Sequence, residues 1–150
     1  MTAGIDPRAS TAEPTLTTPP WVDREAFPFR SRFLEVAHGR RVHYVDEGEG
    51  DVVLFVHGTP TWSFEWRHCI RVLSRTHRCI AMDNLGFGLS DRPRDFDYRP
   101  ESHAAVLRAF VERLALRDVT LVVHDFGGPI GLPLALGEAS IVRRLVVLNT

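Results

Sequence analysis

The sequence contains no lysine: all 18 basic residues of this 150-residue chain are arginines, and 19 acidic residues oppose them. The resulting net charge of -1 gives no overall field that would hold nucleic acid or an anionic membrane surface. Apolar runs fall far short of the ~20 residues that span a bilayer, and the first residues show no basic segment followed by an apolar core. We therefore expect a cytoplasmic protein that binds neither nucleic acid nor membrane.

Cysteine is scarce as well, and occurs at Cys69 and Cys79. The two form no CxxC pair, and no histidine is spaced to complete a zinc site with them. We expect both to be reduced, buried thiols, and we expect neither a disulfide framework nor a bound metal.

The first 20 residues offer little that could form a core. Residues 1–20 combine threonine and alanine with several prolines and show no apolar periodicity. The whole chain, with 44% hydrophobic and 25% charged residues, has the composition of a globular protein. We predict a disordered tail over residues 1–20 and a folded domain over residues 21–150.

Two β-like runs open the domain, Arg32 to Ala37 and Arg41 to Asp46. The His38-Gly39-Arg40 segment between them fits the turn of an antiparallel hairpin. The next run, Val52 to Val56, is continuously apolar, which is typical of a strand covered on both faces within a parallel sheet.

Helical and strand patterns alternate over the remaining residues. Segments with apolar residues at helical spacing separate short apolar runs, and Pro100 with Glu101 fits the start of a helix. This βαβαβ order predicts an α/β fold with a mostly parallel sheet that carries helices on both faces. The predicted elements are a helix at about 64–75, a strand at 78–82, a helix from Pro100 that ends before Arg117, a strand at 119–124, a helix at 126–139 and a strand at 145–149.

The most informative stretch is LVVHDFGG at residues 121–128, where an apolar strand runs into Asp-x-Gly-Gly and then a helix. A strand-to-helix elbow of this type lifts one side chain out of the carboxyl edge of a sheet, and small residues after it let the helix pack closely. The residue at the apex is Asp125. Its carboxylate could act as a nucleophile that forms an ester with a substrate carbon, or it could only cap the helix.

Two further loops follow neighbouring predicted strands. In the first, HGTPTWS at residues 57–63, Gly58 permits a turn that would aim the Thr59 N–H at the same sheet edge. Thr59 and Phe126 could then supply two backbone donors of an oxyanion hole. The second loop, residues 83–91, carries glycines that would keep it tight around the site. Ligands of open α/β sheets bind at such strand ends.

These motifs resemble the α/β-hydrolases, and among them most closely the haloalkane dehalogenases. The resemblance runs from FPF at residues 27–29 to Asn149, through YVDEG at 44–48, HGTPTWSFEWR at 57–67, GFGLSDRP at 86–93 and VVHDFGGP at 122–129. The aspartate at the elbow narrows the resemblance to dehalogenases and epoxide hydrolases, since esterases carry serine there. Thr61-Trp62-Ser63 favours the dehalogenases.

The resemblance implies that Asp125 displaces halide from a small halogenated organic substrate and is left as an alkyl ester. Water then hydrolyses the ester with the help of a histidine base, while Thr59 and Phe126 hold the oxyanion. No metal or organic cofactor is implied. Trp62 is a candidate for the wall of the substrate pocket, with plain packing as the alternative.

The chain also departs from the family pattern. Dehalogenases usually have tryptophan after the nucleophile and asparagine after His-Gly, both of which bind halide, whereas this chain has Phe126 and Thr59. An epoxide hydrolase would need tyrosine acids from a cap domain, and Tyr44 and Tyr98 lie outside such a region. Epoxide hydrolase chemistry is therefore the second expectation.

The family's cap, final strands, catalytic histidine and acidic partner would follow residue 150. Of the seven histidines, His124 should face away from Asp125, His57 belongs to the oxyanion loop, and we expect the others to be satisfied or exposed. We expect this sequence to be the N-terminal half of the fold. A non-catalytic fragment that associates with itself or with a complementary half, through the open edge of its last strand, is the alternative.

Overall fold

The structure, a computed structural model, describes residues 19–137 and 140–150. Most of the predicted tail over residues 1–20, and residues 138–139 at the end of the predicted last helix, lie outside the described residues. Within the described ranges, no helix is long and apolar enough to cross a membrane.

One mixed sheet forms the centre of the molecule, with its strands in the order β1-β2-β4-β3-β5-β6. The pairs β1–β2 and β2–β4 are antiparallel, while β4, β3, β5 and β6 run parallel to one another. The predicted N-terminal hairpin and mostly parallel sheet are confirmed. The strands are β1 (Arg32–Glu35), β2 (Arg41–Glu47), β3 (Val52–Val56), β4 (Arg78–Met82), β5 (Val119–His124) and β6 (Val142–Leu148).

Helices cover both faces of the sheet, as predicted. A 3-10 helix (Ser63–Trp66) leads into α1 (Arg67–Leu73) on one face, and α2 (Pro100–Arg113) and α3 (Gly127–Gly137) lie on the other. Because successive strand residues point to opposite faces, β3 sends Phe55 toward Trp66 and Ile70 and sends Leu54 toward Phe110 and Leu134. The continuous apolar run in β3 is thus explained by burial on both sides.

Besides shifts of a few residues at other element ends, two details differ from the predictions. Strand β6 begins at Val142, three residues before the predicted start, because Val142 already pairs with Val119 and Arg144 with Thr120. Cys79 is buried as expected, but the prediction of a buried Cys69 is wrong: it lies on the outer face of α1 and is exposed, while its neighbour Ile70 faces the sheet.

Strand β6 differs from the other parallel strands in exposure. Its apolar residues 145–148 are each between 39% and 49% exposed, although their sequence is that of a strand covered on both faces. Strand β5 pairs with one edge of β6, and no described strand pairs with the other edge.

Candidate active site

The four parallel strands bring their carboxyl ends to one edge of the sheet. His57-Gly58-Thr59 follows β3, Asp83-Asn84 follows β4 and Asp125 follows β5. Residues far apart in the sequence are therefore neighbours at this edge, as the loop motifs predicted.

Asp125 occupies the sharp turn between β5 and α3. Its φ of 50° lies in the left-handed region, which aspartate enters less readily than glycine and more readily than most other residues. The two neighbouring glycines make this turn possible: a Cβ on Gly127 would collide with the carbonyl oxygen of Val56, and one on Gly58 would collide with the Asp125 carboxyl group. The strand-to-helix elbow predicted from the sequence is present.

Backbone amides hold the Asp125 carboxylate. The Thr59 N–H donates to Asp125 Oδ1 at 2.9 Å, and the Phe126 N–H is a second donor to the carboxylate. These two hydrogen bonds, the Thr59 bond first, hold the pKa of Asp125 below its usual value, so the group is ionised at neutral pH. The Thr59 and Phe126 amides thus lie together at the elbow, and their role as oxyanion donors stays a prediction.

Helix capping does not explain this arrangement. Helix α3 begins at Gly127, so the N-cap position belongs to Phe126, and Asp125 lies one residue before it. A capping side chain accepts from the second or third amide of its helix, whereas the Asp125 carboxylate accepts from Thr59 on another loop and from Phe126.

Phe126 and Trp62 have different surroundings. The Phe126 side chain is 45% exposed and lines a cavity beside the elbow. The Trp62 ring instead packs against aromatic rings of the opposite face, with centroid distances of 5.5 Å to Trp21, 4.9 Å to Phe27 and 5.6 Å to Phe64. Among the described residues Trp62 is not part of that cavity's lining, which favours the packing alternative for this residue.

His57 follows β3 but has no nitrogen left for catalysis. Its Nδ1–H donates to the Gly58 carbonyl at 2.7 Å, and its Nε2 accepts from the Asn84 N–H at 2.9 Å. Burial lowers the pKa of the ring, which agrees with this neutral tautomer. His57 therefore fixes the loop that carries Thr59.

Sequence reasoning missed a buried carboxylate at the same edge. Asp83, fully buried, accepts hydrogen bonds from His43 Nδ1 at 2.8 Å, from the Ser63 N–H at 2.8 Å and from the Leu89 N–H at 2.9 Å. Although burial opposes ionisation, the His43 contact and these amides together lower the pKa of Asp83. Asp83 ties β2, β4 and two loops together. In the sequence, the polar pair Asp83-Asn84 directly after a buried strand is the feature that could have indicated this buried carboxylate.

Two other histidines lie apart from this network. His124, whose side chain is 32% exposed, contacts the Glu65 carboxylate and the Trp66 ring, so it lies on the face of the sheet that carries α1. His103, on the first turn of α2, is 3% exposed, and its Nδ1 has no hydrogen-bond partner among the described residues. The expectation that these histidines would be satisfied or exposed is wrong for His103, and also for His43, whose Nε2 is buried without a partner among the described residues. In the described part of the chain, no three His, Cys, Asp or Glu side chains group as a metal site would require.

Comparison with known proteins agrees with this geometry. Residues 51–150 match the family model of the alpha/beta hydrolase fold. The chain belongs to the α/β-hydrolase family, and within it is haloalkane dehalogenase-like.

Particular relatives divide among three activities. "Haloalkane dehalogenase 2" of Mycobacterium tuberculosis is 45% identical over 128 residues, which cover 85% of this chain and 44% of that protein. "Cis-3-alkyl-4-alkyloxetan-2-one decarboxylase" of Shewanella oneidensis is 43% identical over 126 residues, 82% of this chain and 39% of the relative. A solved epoxide hydrolase from Vigna radiata superposes with a TM-score of 0.76 at 33% identity, covering 83% of this chain and 41% of that one. The chain thus spans less than half the length of these relatives.

Proposed function

We propose that Asp125 is a nucleophile that attacks a saturated carbon and carries the substrate as an ester. The observation that supports this is the state of its carboxylate: ionised, partly exposed at a left-handed elbow, and held by two backbone amides instead of by a cation. A carboxylate restrained in this way keeps its charge and its position without being neutralised.

A haloalkane is the first substrate class. One carboxylate oxygen of Asp125 forms a bond to the carbon while the carbon–halogen bond breaks, and the halide leaves with the bonding electrons. Water then attacks the ester carbonyl, and the Thr59 and Phe126 amides stabilise the oxyanion. His57 has both nitrogens occupied and His124 faces the other side of the sheet, so we expect this chain by itself to stop at the ester.

A second substrate class, strained oxygen rings, is favoured by the side chain of Phe126. A phenyl ring offers a leaving halide only a weakly positive edge, whereas opening an epoxide or an oxetan-2-one releases no halide. The solved epoxide hydrolase and the Shewanella oneidensis decarboxylase show that relatives of this chain act on such rings. In each ring a saturated carbon bears an oxygen leaving group, so the same carboxylate attack applies.

Intact-mass measurement distinguishes the classes. The chain is incubated separately with a primary bromoalkane, a terminal epoxide and a cis-dialkyl oxetan-2-one, beside the Asp125→Asn control. A bromoalkane would add its alkyl group in place of one proton, whereas either ring would add its whole mass. One adduct that is absent from Asp125→Asn supports the nucleophile. An unmodified chain with all three compounds, or an equal adduct on Asp125→Asn, would reject it.

Phe126→Trp tests the halide argument directly. Because the Phe126 side chain is partly exposed, the larger indole can be accommodated, and its N–H would face the leaving halide. We expect faster ester formation with the bromoalkane and an unchanged rate with the epoxide. Equal rates for both variants with the bromoalkane would show that the missing indole is not the limitation.

The exposed face and edge of β6 favour a second, non-catalytic function, in which this chain associates with a complementary polypeptide. Residues 145–148 form a bare apolar strand, and the relatives are about twice as long as the part that matches. Sedimentation at rising concentration, with Val147→Lys as control, tests whether copies of this chain substitute for that partner. We expect association that Val147→Lys reduces. If the chain is monomeric at all concentrations, the exposed edge of β6 does not drive association between copies of this chain.

A further inference from the structure

A cavity of about 240 Å³ lies beside the elbow, on the face of the sheet that carries α2 and α3. Thr59 and Phe126, whose amides hold the Asp125 carboxylate, form one of its walls. The remaining lining residues are Asn84, Gly86, Phe87, Tyr98, His103 and Ile130. Half of the lining residues therefore carry an aromatic ring, and the cavity adjoins the candidate nucleophile without including it in its lining.

Tyr98 is fixed as part of this wall. Its φ of 58° lies in the left-handed region, its hydroxyl donates to the Pro93 carbonyl at 2.8 Å, and its ring lies so close to Gly86 that a Cβ there would collide with it. The hydroxyl therefore already donates its hydrogen bond within the loop, and Tyr98 would contact a molecule in the cavity through its ring.

Two polar atoms of this wall are buried without a hydrogen-bond partner among the described residues, Asn84 Oδ1 and His103 Nδ1, and His103 is the one that lies among aromatic rings. Its ring lies 5.0 Å from that of Phe96, 6.1 Å from that of Tyr98 and 6.4 Å from that of Phe87, measured between centroids. Nδ1 is buried and has no partner among the described residues. Burial lowers the pKa of His103 to about 4, so at neutral pH the imidazole is uncharged and has one donor and one acceptor nitrogen.

A buried polar nitrogen without a partner is costly, and native structures usually satisfy such groups. The size of the cavity and its lining limit which molecule could supply the missing hydrogen-bond partner. An apolar cavity of 150 Å³ is known to hold benzene, so about 240 Å³ has room for one ring with a small substituent. Phe87, Tyr98 and Phe126 would pack against the ring.

We propose that this cavity is a binding site for a small molecule with an aromatic or similarly compact apolar body and one hydrogen-bonding group, and that the His103 imidazole is the partner of that group. The site does not need the Asp125 carboxylate to react. It is a compartment next to the nucleophile, with its own selectivity.

Fluorine NMR titration tests this with para-fluorophenol and para-fluorotoluene, two probes of the same shape that differ in a hydroxyl against a methyl group. Asp125→Asn is used beside the unaltered chain, so that binding is measured apart from any chemistry at the nucleophile. We expect both proteins to bind the phenol about fivefold more tightly than the toluene, the size of one neutral hydrogen bond. In His103→Phe, which keeps a ring but has no nitrogen, the two probes should bind equally.

A second measurement on the unaltered chain covers the case in which His103→Phe does not fold. Long-range proton–nitrogen spectra of the imidazoles should show the His103 nitrogens shifting with the phenol and staying in place with the toluene, while those of His57 move with neither. Lack of saturable binding of both probes would mean that the cavity holds only solvent, and would overturn the proposal. The proposal would also be overturned if the preference for the phenol persisted in His103→Phe, or if the His103 nitrogen signals did not shift with the phenol.

Discussion

Asp83 and Asp125 follow neighbouring parallel strands of the same sheet and reach the same edge, yet their surroundings differ. Asp83 is fully buried and accepts from one imidazole and two amides, whereas Asp125 is partly exposed and accepts from two amides alone. Both pKa values are lowered. A lowered pKa therefore does not by itself distinguish the proposed nucleophile from a structural carboxylate. The two aspartates differ instead in solvent access and in the number of hydrogen bonds that their carboxylates accept.

The largest expected effect is on Asp83. Asp83→Ala leaves His43 Nδ1 and the Ser63 and Leu89 amides buried without their acceptor, and we expect a loss of about 3–5 kcal/mol in the free energy of unfolding. Urea unfolding measures this loss. In contrast, Asp125→Asn should leave the midpoint unchanged, because asparagine tolerates a positive φ. Equal losses in both variants would remove the distinction between the two aspartates.

A smaller effect is expected at the glycine that allows the elbow. Gly127→Ala places a Cβ against the carbonyl oxygen of Val56 and should cost about 1–3 kcal/mol through forced displacement of α3 from β3. Urea unfolding provides the measurement. Gly137→Ala, in the same helix, is the matched control, because neither glycine has a positive φ and a Cβ on Gly137 would meet only the flexible end of Arg108 at 3.1 Å. If Gly127→Ala loses no more than this control, close packing at the elbow is not required.

The response to pH should separate His103 from Asp83. The pKa of His103 falls from 6.5 in the unfolded chain to about 4 when folded, so the unfolded state binds more protons between these values and stability declines as pH falls through that window. The lowered pKa of Asp83 acts below its usual 3.8, where its contribution is lost as pH falls further. Unfolding midpoints measured from pH 7 to 3 should show that the loss of stability between pH 6.5 and about 4 is smaller in His103→Phe than in the unaltered chain. If the loss is equally large in that variant, groups other than His103 cause it.

The effect expected at Gly58 is mainly on reactivity. A Cβ on Gly58 would lie 2.3 Å from Asp125 Oδ1 and 2.5 Å from Asp125 Cβ, so the whole Asp125 side chain would have to shift. We expect Gly58→Ala to form the ester with a bromoalkane about tenfold more slowly or worse, as followed by intact mass, because the carboxylate is displaced. An unchanged rate would mean that the observed carboxylate orientation is not the reactive one.

The sequence was sufficient to predict most strands because their signals are local. The apolar runs of β3, β4 and β5 fall at the predicted residues, since strands buried on both faces contain little else. The early start of β6 was missed because Arg143 and Arg144 look unlike a buried strand, and they are accommodated where that strand is exposed.

The proximity of the three candidate site residues could be predicted because backbone geometry determines it, while their roles stay a prediction. Asp-x-Gly-Gly and His-Gly specify tight turns, and so Asp125, Thr59 and Phe126 were placed at one point. The pairing of His43 with Asp83, and the unpartnered nitrogen of His103, depend on which side chains meet across 40 residues or on what is absent nearby. No local pattern in the sequence carries that information.

The most direct test of the central claim is peptide mapping after the chain has reacted with a bromoalkane. Digestion and tandem mass spectrometry locate the alkyl group on a particular carboxylate. We predict that it lies on Asp125 and that Asp83, buried and fully engaged, stays unmodified. An alkyl group on any other residue, or none on Asp125 under conditions that modify a known dehalogenase, would contradict the assignment of Asp125 as the nucleophile.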